Sequence, residues 1–251
     1  MAVHARLMRS FGTFLHGLCH LSGFALELAS RPSRAALFDR GGRYFVRRGA
    51  HRWALWLYRK ASELQGENGR IWHHRAAAAV RGGDLEEAAL CYRVLARLDP
   101  HNPRAHCRLA GIYELVGAPR AALDVCRRAL DRAPDSPCLH RQLGRLLFNT
   151  GAVHSALRSL QRAADLSPGH CDTHYCIGLA MRQAGKLPEA RSALRTALAL
   201  RSDDPKLYYA LGLCCSPNGD VQEPVALLLR GLAQERLDAG LDPPTYSPPP
   251  S

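Results

Sequence analysis

The chain of 251 residues is 47% hydrophobic and only 7% aromatic, which excludes a disordered chain and suits a core of small aliphatic side chains. Its 34 basic residues outnumber 22 acidic ones, and the resulting net charge of +12 favours an anionic partner over a cationic one. No apolar run reaches the ~18–20 uncharged residues of a membrane-spanning helix, and nine cysteines without paired spacing fit a reducing compartment, so the expected location is cytoplasmic.

Residues 1–34 carry Leu7, Phe11, Phe14, Leu18, Leu21, Ala25 and Leu28 at alternating spacings of four and three. That stripe predicts an amphipathic helix. Gly12, Gly17 and Gly23 weaken it, so it needs a surface to lie against. Three roles fit: a cap on the domain that begins at residue 35, a segment that docks on an anionic membrane or a membrane-bound partner, and an Arg-bearing, acid-poor organelle presequence. The second would place the protein peripherally on the cytoplasmic face of a membrane.

From residue 35 onward the chain repeats itself every 34 residues. "HRQLGRLL" at 140, "HYCIGLAM" at 174 and "YYALGLCC" at 208 hold the same register, with "HCRLAGIY" at 106 and "WHHRAAAA" at 72 before them. A period of this length is the mark of a helical solenoid. Apolar residues recur at three and four in each half, predicting two helices per unit. A glycine at position 15 separates them, at Gly49, Gly83, Gly117, Gly151, Gly185 and Gly219. Pro100, Pro134 and Pro168 end the second helix of three units. The units run 35–68, 69–102, 103–136, 137–170, 171–204 and 205–238, the first with a degenerate opening helix, "ALFDRGGRYFVRR".

In the last unit Pro217 and Pro224 interrupt the pattern. Its second helix carries Val225, Leu227, Leu228, Leu229 and Leu232, and the tail "DPPTYSPPPS" cannot form a further polar helix to cover them. An open apolar face formed by Val225, Leu228, Leu229 and Leu232 is therefore expected, to be closed by a partner, a second copy or the tail. Residues 239–251 read as a Pro-rich disordered tail.

The repeats resemble the tetratricopeptide-repeat family, whose pattern places small residues at positions 8, 20 and 27. Unit 137–170 matches with Leu143, Gly144, Leu147, Ala156, Leu160, Ala163 and Pro168, and unit 103–136 with Leu109, Tyr113, Ala122, Cys126, Ala129 and Pro134. Trp72, Ala76, Ala88, Tyr92 and Pro100 carry the resemblance in 69–102, and Ile177, Gly178, Ala190 and Ala197 in 171–204. It implies an all-α, right-handed superhelical solenoid whose concave groove is lined by first helices, with positions 2, 5, 6, 9 and 12 facing the groove.

Those positions are lopsided in charge. Arg70, Arg104, Arg108, Arg141, Arg145, Arg182 and Lys206 stand against Glu114 and Asp172, with His73 and His74 as exposed polar lining and Phe148, Tyr175, Leu179, Tyr209 and Leu213 interleaved. Such a surface suits an extended acidic peptide, because guanidinium forks take carboxylates bidentately while apolar positions take side chains. An arginine excess of genomic origin, in a groove with no particular ligand, gives the same pattern. RNA is the third option, through phosphate contacts and stacking on tyrosines, and is disfavoured by the absence of a recognised nucleic-acid module. Two chemistries known in the family do not transfer. The carboxylate clamp of chaperone-binding members needs lysine and asparagine where this chain has His73, Ala77 and Arg108. The asparagine ladder of the O-linked N-acetylglucosamine transferases meets His74, Arg108, Gln142, Cys176 and Ala210.

"SPGHCDTHYC" at 167–176 has the composition of a metal site, but His174 and Cys176 project about 200° apart on one helix and cannot share an ion. His106, His140 and His174 recur at a packing position and read as structural. No catalytic motif, cofactor or metal site is expected. The sequence reads as a non-catalytic adaptor that binds protein through its groove and apolar C-terminal face. A membrane-held assembly or targeting factor is the alternative, and a homo-oligomer through the last unit fits either reading.

Overall fold

The computed structural model describes residues 33–214 and 222–238. The N-terminal stripe, Gly219 and the tail lie outside them, as do the side chains of Val225 and Leu228. All regular structure among the described residues is helical: α1 (Arg34–Arg47), α2 (His51–Leu64), α3 (Gly69–Arg81), α4 (Leu85–Leu98), α5 (Pro103–Leu115), α6 (Pro119–Leu130), α7 (Pro137–Asn149), α8 (Val153–Leu166), α9 (Cys171–Gln183), α10 (Leu187–Leu200), α11 (Pro205–Gly212) and α12 (Gln222–Asp238). The opening helix of 35–68, degenerate in sequence, is a regular α1, begun by Ser33, whose hydroxyl accepts from the Ala36 amide. The chain divides into two compact bodies between Asp84 and Leu85.

The turn between paired helices is built the same way each time. Gly49, Gly83, Gly117, Gly151 and Gly185 have φ between 72° and 81°, where a Cβ is disfavoured. The amide after each glycine reaches back five residues, as in Ala118 N to Tyr113 O at 2.8 Å and Ala152 N to Leu147 O at 2.9 Å, closing the open carbonyls of the last helical turn. The loops between units end in helix caps. Asn68, Asn102 and Asp204 accept from the amides of Arg70, Arg104 and Lys206, and Pro103, Pro137 and Pro205 occupy the first helical position.

A second device recurs at position 4. Trp72 Nε1 donates to Gly66 O (2.6 Å), and Tyr208 Oη to Ser202 O (2.9 Å). Between them His106, His140 and His174 place Nε2 at 3.1, 2.7 and 2.7 Å from the carbonyls of Pro100, Pro134 and Pro168. A carbonyl only accepts, so each histidine is the Nε2–H donor. The acceptor lies six residues back every time, so each first helix is tied to the loop ahead of it.

Small residues set the packing. Ala54, Ala88, Ala122, Ala156 and Ala190, all at position 20, are fully buried. Gly144 and Gly178 admit Leu160 and Leu194 so closely that an added Cβ would meet their Cγ atoms at 2.6 and 2.5 Å; Gly42 admits the Tyr58 ring in the same way. In the first body, Ala35, Ala61 and Ile71 form one core cluster with Phe38 packed against it. In the second, successive clusters centre on Cys126 and Leu146, on Leu160 and Ile177, and on Leu194 and Leu211. Each cluster draws on neighbouring units, as expected of a structure whose repeats bury surface only against the next.

Within this second body α5, α7, α9 and α11 touch in series, and each second helix touches the first helix that follows it. No two second helices are in contact among the described residues. The more closely spaced row lies on the inside of the curve, so in this body the first helices line the concave side.

Candidate partner-binding face

On the inner row of the second body, Arg104 and Arg108 stand exposed on α5 and Arg141 half-exposed on α7, and none of the three makes an ion pair among the described residues. Arg182 on α9 and Lys206 on α11 are likewise without an acidic partner there. Arg145 differs from the expectation of a free groove cation. Its Nη2 lies 2.6 Å from Glu114 Oε2 and 3.2 Å from Gln142 Oε1, and Asn149 Nδ2 donates to the other Glu114 oxygen at 2.6 Å. One of the few groove acids is thus fully engaged between α5 and α7, and it takes Arg145 out of play.

The tyrosines are also committed. Tyr175 packs half-buried against Cys171, Ala197 and Leu207, and burial raises its phenol above the ordinary value. Tyr209 does not present a free face: its hydroxyl donates to Glu235 Oε2 on α12 (3.0 Å), and α12 approaches closely enough that a Cβ on Gly231 would lie 3.2 Å from the Tyr209 ring. Phe148 and Leu179 are partly buried in the core clusters, while Leu213 is exposed.

In the first body, Arg70 and His73 on α3 are exposed. His74, expected as exposed lining, is instead half-buried with Nδ1 2.6 Å from Asp39 Oδ1. Asp39 is 1% exposed and also faces Arg43 (3.5 Å) and Arg70 (3.9 Å). Burial, with the Asp39 charge second, pushes the Tyr58 phenol up to about 12. The cause is geometric: Asp39 is at position 5 of one first helix and His74 at position 6 of the next, and these positions meet where first helices pack. A charge at position 5 facing a polar ring at position 6 one unit on was the signal in the sequence.

The histidine and cysteine segment at 170–176 is occupied by structure. The His174 ring donates to Pro168 O, and burial pushes the Cys176 thiol up to about 11. Cys171 is buried, and burial followed by the Arg141 charge lowers the His170 imidazole. At the C-terminal end, α12 turns Leu227 into the core beside Leu194, Leu211 and Cys214, with Leu229 half-buried and Leu232 exposed. Leu227 stands outside the apolar face expected to be open, of which Leu229 and Leu232 are the described members. Positive charge is not confined to the inner row either. Arg93, Arg97, Arg128 and Arg132 surround an outer cleft of about 710 Å³ between α4, α5 and α6.

Comparison with known proteins agrees with the helix pairs and their period. Family models described as "Tetratricopeptide repeat" match residues 40–103, 75–137 and 117–170, and one described as "TPR repeat" matches 178–214. The chain belongs to the tetratricopeptide-repeat family. Among curated proteins it is similar to the TPR repeat-containing thioredoxin TTL4 of Arabidopsis thaliana, at 33% identity over 124 residues, 49% of this chain and 17% of that protein. It is also 34% identical over 106 residues to the Inactive TPR repeat-containing thioredoxin TTL3 of the same plant, 42% of this chain and 15% of that protein. The chain thus spans only a small part of the curated relatives it matches. The fold is similar to MamA from Desulfovibrio magneticus RS-1 (TM-score 0.58, 18% identity, 69% of this chain and 98% of that one). It is likewise similar to YrrB (0.53, 21%, 70% and 91%) and to a chain of the Cut9-Hcn1 hetero-tetramer of APC/C (0.61, 21%, 84% and 45%). No helix among the described residues is long and apolar enough to cross a membrane.

Proposed function

We propose that the chain is a non-catalytic scaffold of six repeats, 35–68 to 205–238, and that the first helices of its second body hold an extended acidic segment of a partner protein. The observation that carries this reading is the trio Arg104, Arg108 and Arg141 on adjacent helices α5 and α7, with no acidic partner among the described residues. The neighbouring Arg145–Glu114 pair is already neutralised, so the ligand's carboxylates have three guanidinium forks to meet. Support also comes from YrrB, described as a TPR protein with an unusual peptide-binding site, and from the assembly of Cut9 with Hcn1.

The test is fluorescence anisotropy with a labelled peptide alternating glutamate and leucine. Changing Arg104, Arg108 and Arg141 to Glu is expected to weaken binding at least tenfold, since charge-assisted pairs contribute ~1.5–3 kcal/mol each. Changing Arg93, Arg97 and Arg128 to Glu on the outer cleft removes the same charge and is expected to leave binding within about twofold once salt screens the long-range field. Equal loss in both variants would show a general charge effect and refute the groove reading.

A further inference from the structure

The outer cleft of the second body has a polarity along its length. Its walls are α4 and α6, which do not touch, and α5, packed against both, supplies the floor. In chain order the α4 wall offers Leu90, Arg93 and Arg97, while α6 and the turn after it offer Val125, Arg128 and Arg132. Both trios are spaced by three residues and then four, so each lies along one helical face. Corresponding members stand 35 residues apart, one more than the repeat, and the 34-residue period therefore does not display them. Alternate helices of an up-and-down array run in the same direction, so Leu90 and Val125 share one end of the cleft and Arg97 and Arg132 the other. Leu109 of α5 is buried in the floor between them.

The cationic end is uncompensated. All four arginines are exposed, none makes an ion pair among the described residues, and no acid lines the cleft. Asp124 is taken by Arg127 at 3.8 Å, and Asp99 and Asp131, within two residues of Arg97 and Arg132, pair with neither. Arg132 instead turns back so that its Nη1 lies 3.5 Å from the Arg128 carbonyl. The negative end of a helix dipole favours Arg97, Arg128 and Arg132 singly, but it does not account for Arg93 or for four guanidinium groups around one cleft. A cleft lined by one sign of charge concentrates the field and draws in the counter-charge, and guanidinium forks match phosphate oxygens two at a time. An acidic amphipathic helix would need an apolar seam along the whole cleft with cations on both flanks. Here apolar and cationic surface divide end from end, and the volume of about 710 Å³ falls in the ~300–1,000 Å³ range of small-molecule sites.

We infer that this cleft binds a nucleoside polyphosphate, with the phosphates on Arg93, Arg97, Arg128 and Arg132 and the base against Leu90, Leu109 and Val125. A flat base suits the apolar end, where it also has the Arg93 and Arg128 planes to stack on. Because no carboxylate lines the cleft, the phosphates are met by guanidinium alone and binding needs no divalent cation. The site lies on the opposite face of the repeats from Arg104, Arg108 and Arg141, and it does not depend on what the inner row holds.

The experiment is calorimetric titration of the full chain with ATP in the presence of EDTA, at about 0.15 M salt to screen the long-range field. The wild type is expected to bind one ATP per chain. Arg97→Gln with Arg128→Gln is expected to weaken that binding at least tenfold, and Arg104→Gln with Arg108→Gln, the same loss of charge on the inner row, to leave it within about twofold. Inorganic tripolyphosphate, which has the charge without the base, is expected to bind at least fivefold more weakly than ATP. Circular dichroism on each variant keeps folding separate from binding. No saturable binding of ATP by the wild type, equal loss in the two folded variants, or tripolyphosphate bound as tightly as ATP would each overturn the inference.

Discussion

Gly144→Ala tests whether the close approach of paired helices, rather than helix propensity, governs the glycine at position 8. Alanine in a helix interior is worth ~1 kcal/mol over glycine, so with nothing in the way the substitution stabilises. Here the new Cβ would lie 2.6 Å from Leu160 Cγ, 2.8 Å from Leu160 Cδ2 and 3.2 Å from Ala156 O. Carbon atoms rest at about 3.5–4.0 Å, so α7 and α8 must part by about 1 Å, or Leu160, which is fully buried, must leave its rotamer. Overpacking of this kind costs ~1–3 kcal/mol, and a backbone carbonyl on the far side argues for the upper end. The net loss is then about 2 kcal/mol. Gly111 supplies the control, because it lies within α5 and its Cβ would meet only Gln142 Nε2 at 3.9 Å. Gly111→Ala is expected to gain ~0.5–1 kcal/mol, a separation of about 3 kcal/mol between two identical substitutions. Urea titration followed by far-UV circular dichroism reads both. Adding Leu160→Ala to Gly144→Ala is expected to cost less than the sum of the single changes, since the shortened side chain removes the clash. Equal gains for Gly144→Ala and Gly111→Ala would refute the close-approach argument.

Other perturbations probe the same geometry. His106→Phe keeps a ring but strands the Pro100 carbonyl, and is expected to cost ~1–2 kcal/mol in urea unfolding, more than the same change at the more exposed His140. His74→Ala removes the closest partner of buried Asp39, leaving only the longer contacts to Arg43 and Arg70, and is expected to destabilise the first body by ~2–3 kcal/mol. Tryptophan fluorescence is the readout there, because all three tryptophans lie between residues 53 and 72; an unchanged transition would show that the arginines suffice. The Cys138 thiol, lowered in the fold from 9.0 to about 6, leaves the folded state with fewer protons than the unfolded chain between those values. Its contribution is therefore full above pH 9 and lost as pH falls through 6. Cys138→Ser should flatten the pH dependence of the unfolding midpoint in that window, and an identical slope in both proteins would refute the assignment.

The helix pairs were legible because their punctuation is chemical. Gly117, Gly151 and Gly185 announce positive φ, and Ala122, Ala156 and Ala190 announce close contact, each through a side chain that is missing or minimal. The position 4 residues were visible as a series, yet Trp72, His106 and Tyr208 share only a ring-borne donor. Their common acceptor is a backbone carbonyl, on which side-chain identity is silent. Asp39 was obscure for a related reason. A charge on a predicted inner face reads as solvated, and its burial comes from α3, a different helix. The dense cluster at 170–176 drew attention to His174, whose ring is bonded to the Pro168 carbonyl. Arg145 illustrates the limit for charges: position gave the right helix face, but only the side chain of Glu114 decided whether the guanidinium was available.

The ring-to-carbonyl bonds at position 4 bear on how such a chain can grow. Each bond joins a donor in one repeat to an acceptor at the close of the repeat before it, so no repeat holds both halves of its own fastening. A genetic duplication or excision of 34 residues, wherever its endpoints fall, carries one half out and brings the equivalent half in, and every junction is restored. A change of any other length leaves a ring and a carbonyl unmatched at the seam. The fastening thereby admits change in array length by whole repeats and penalises every other change, and it tolerates tryptophan, histidine or tyrosine as the fastener while doing so.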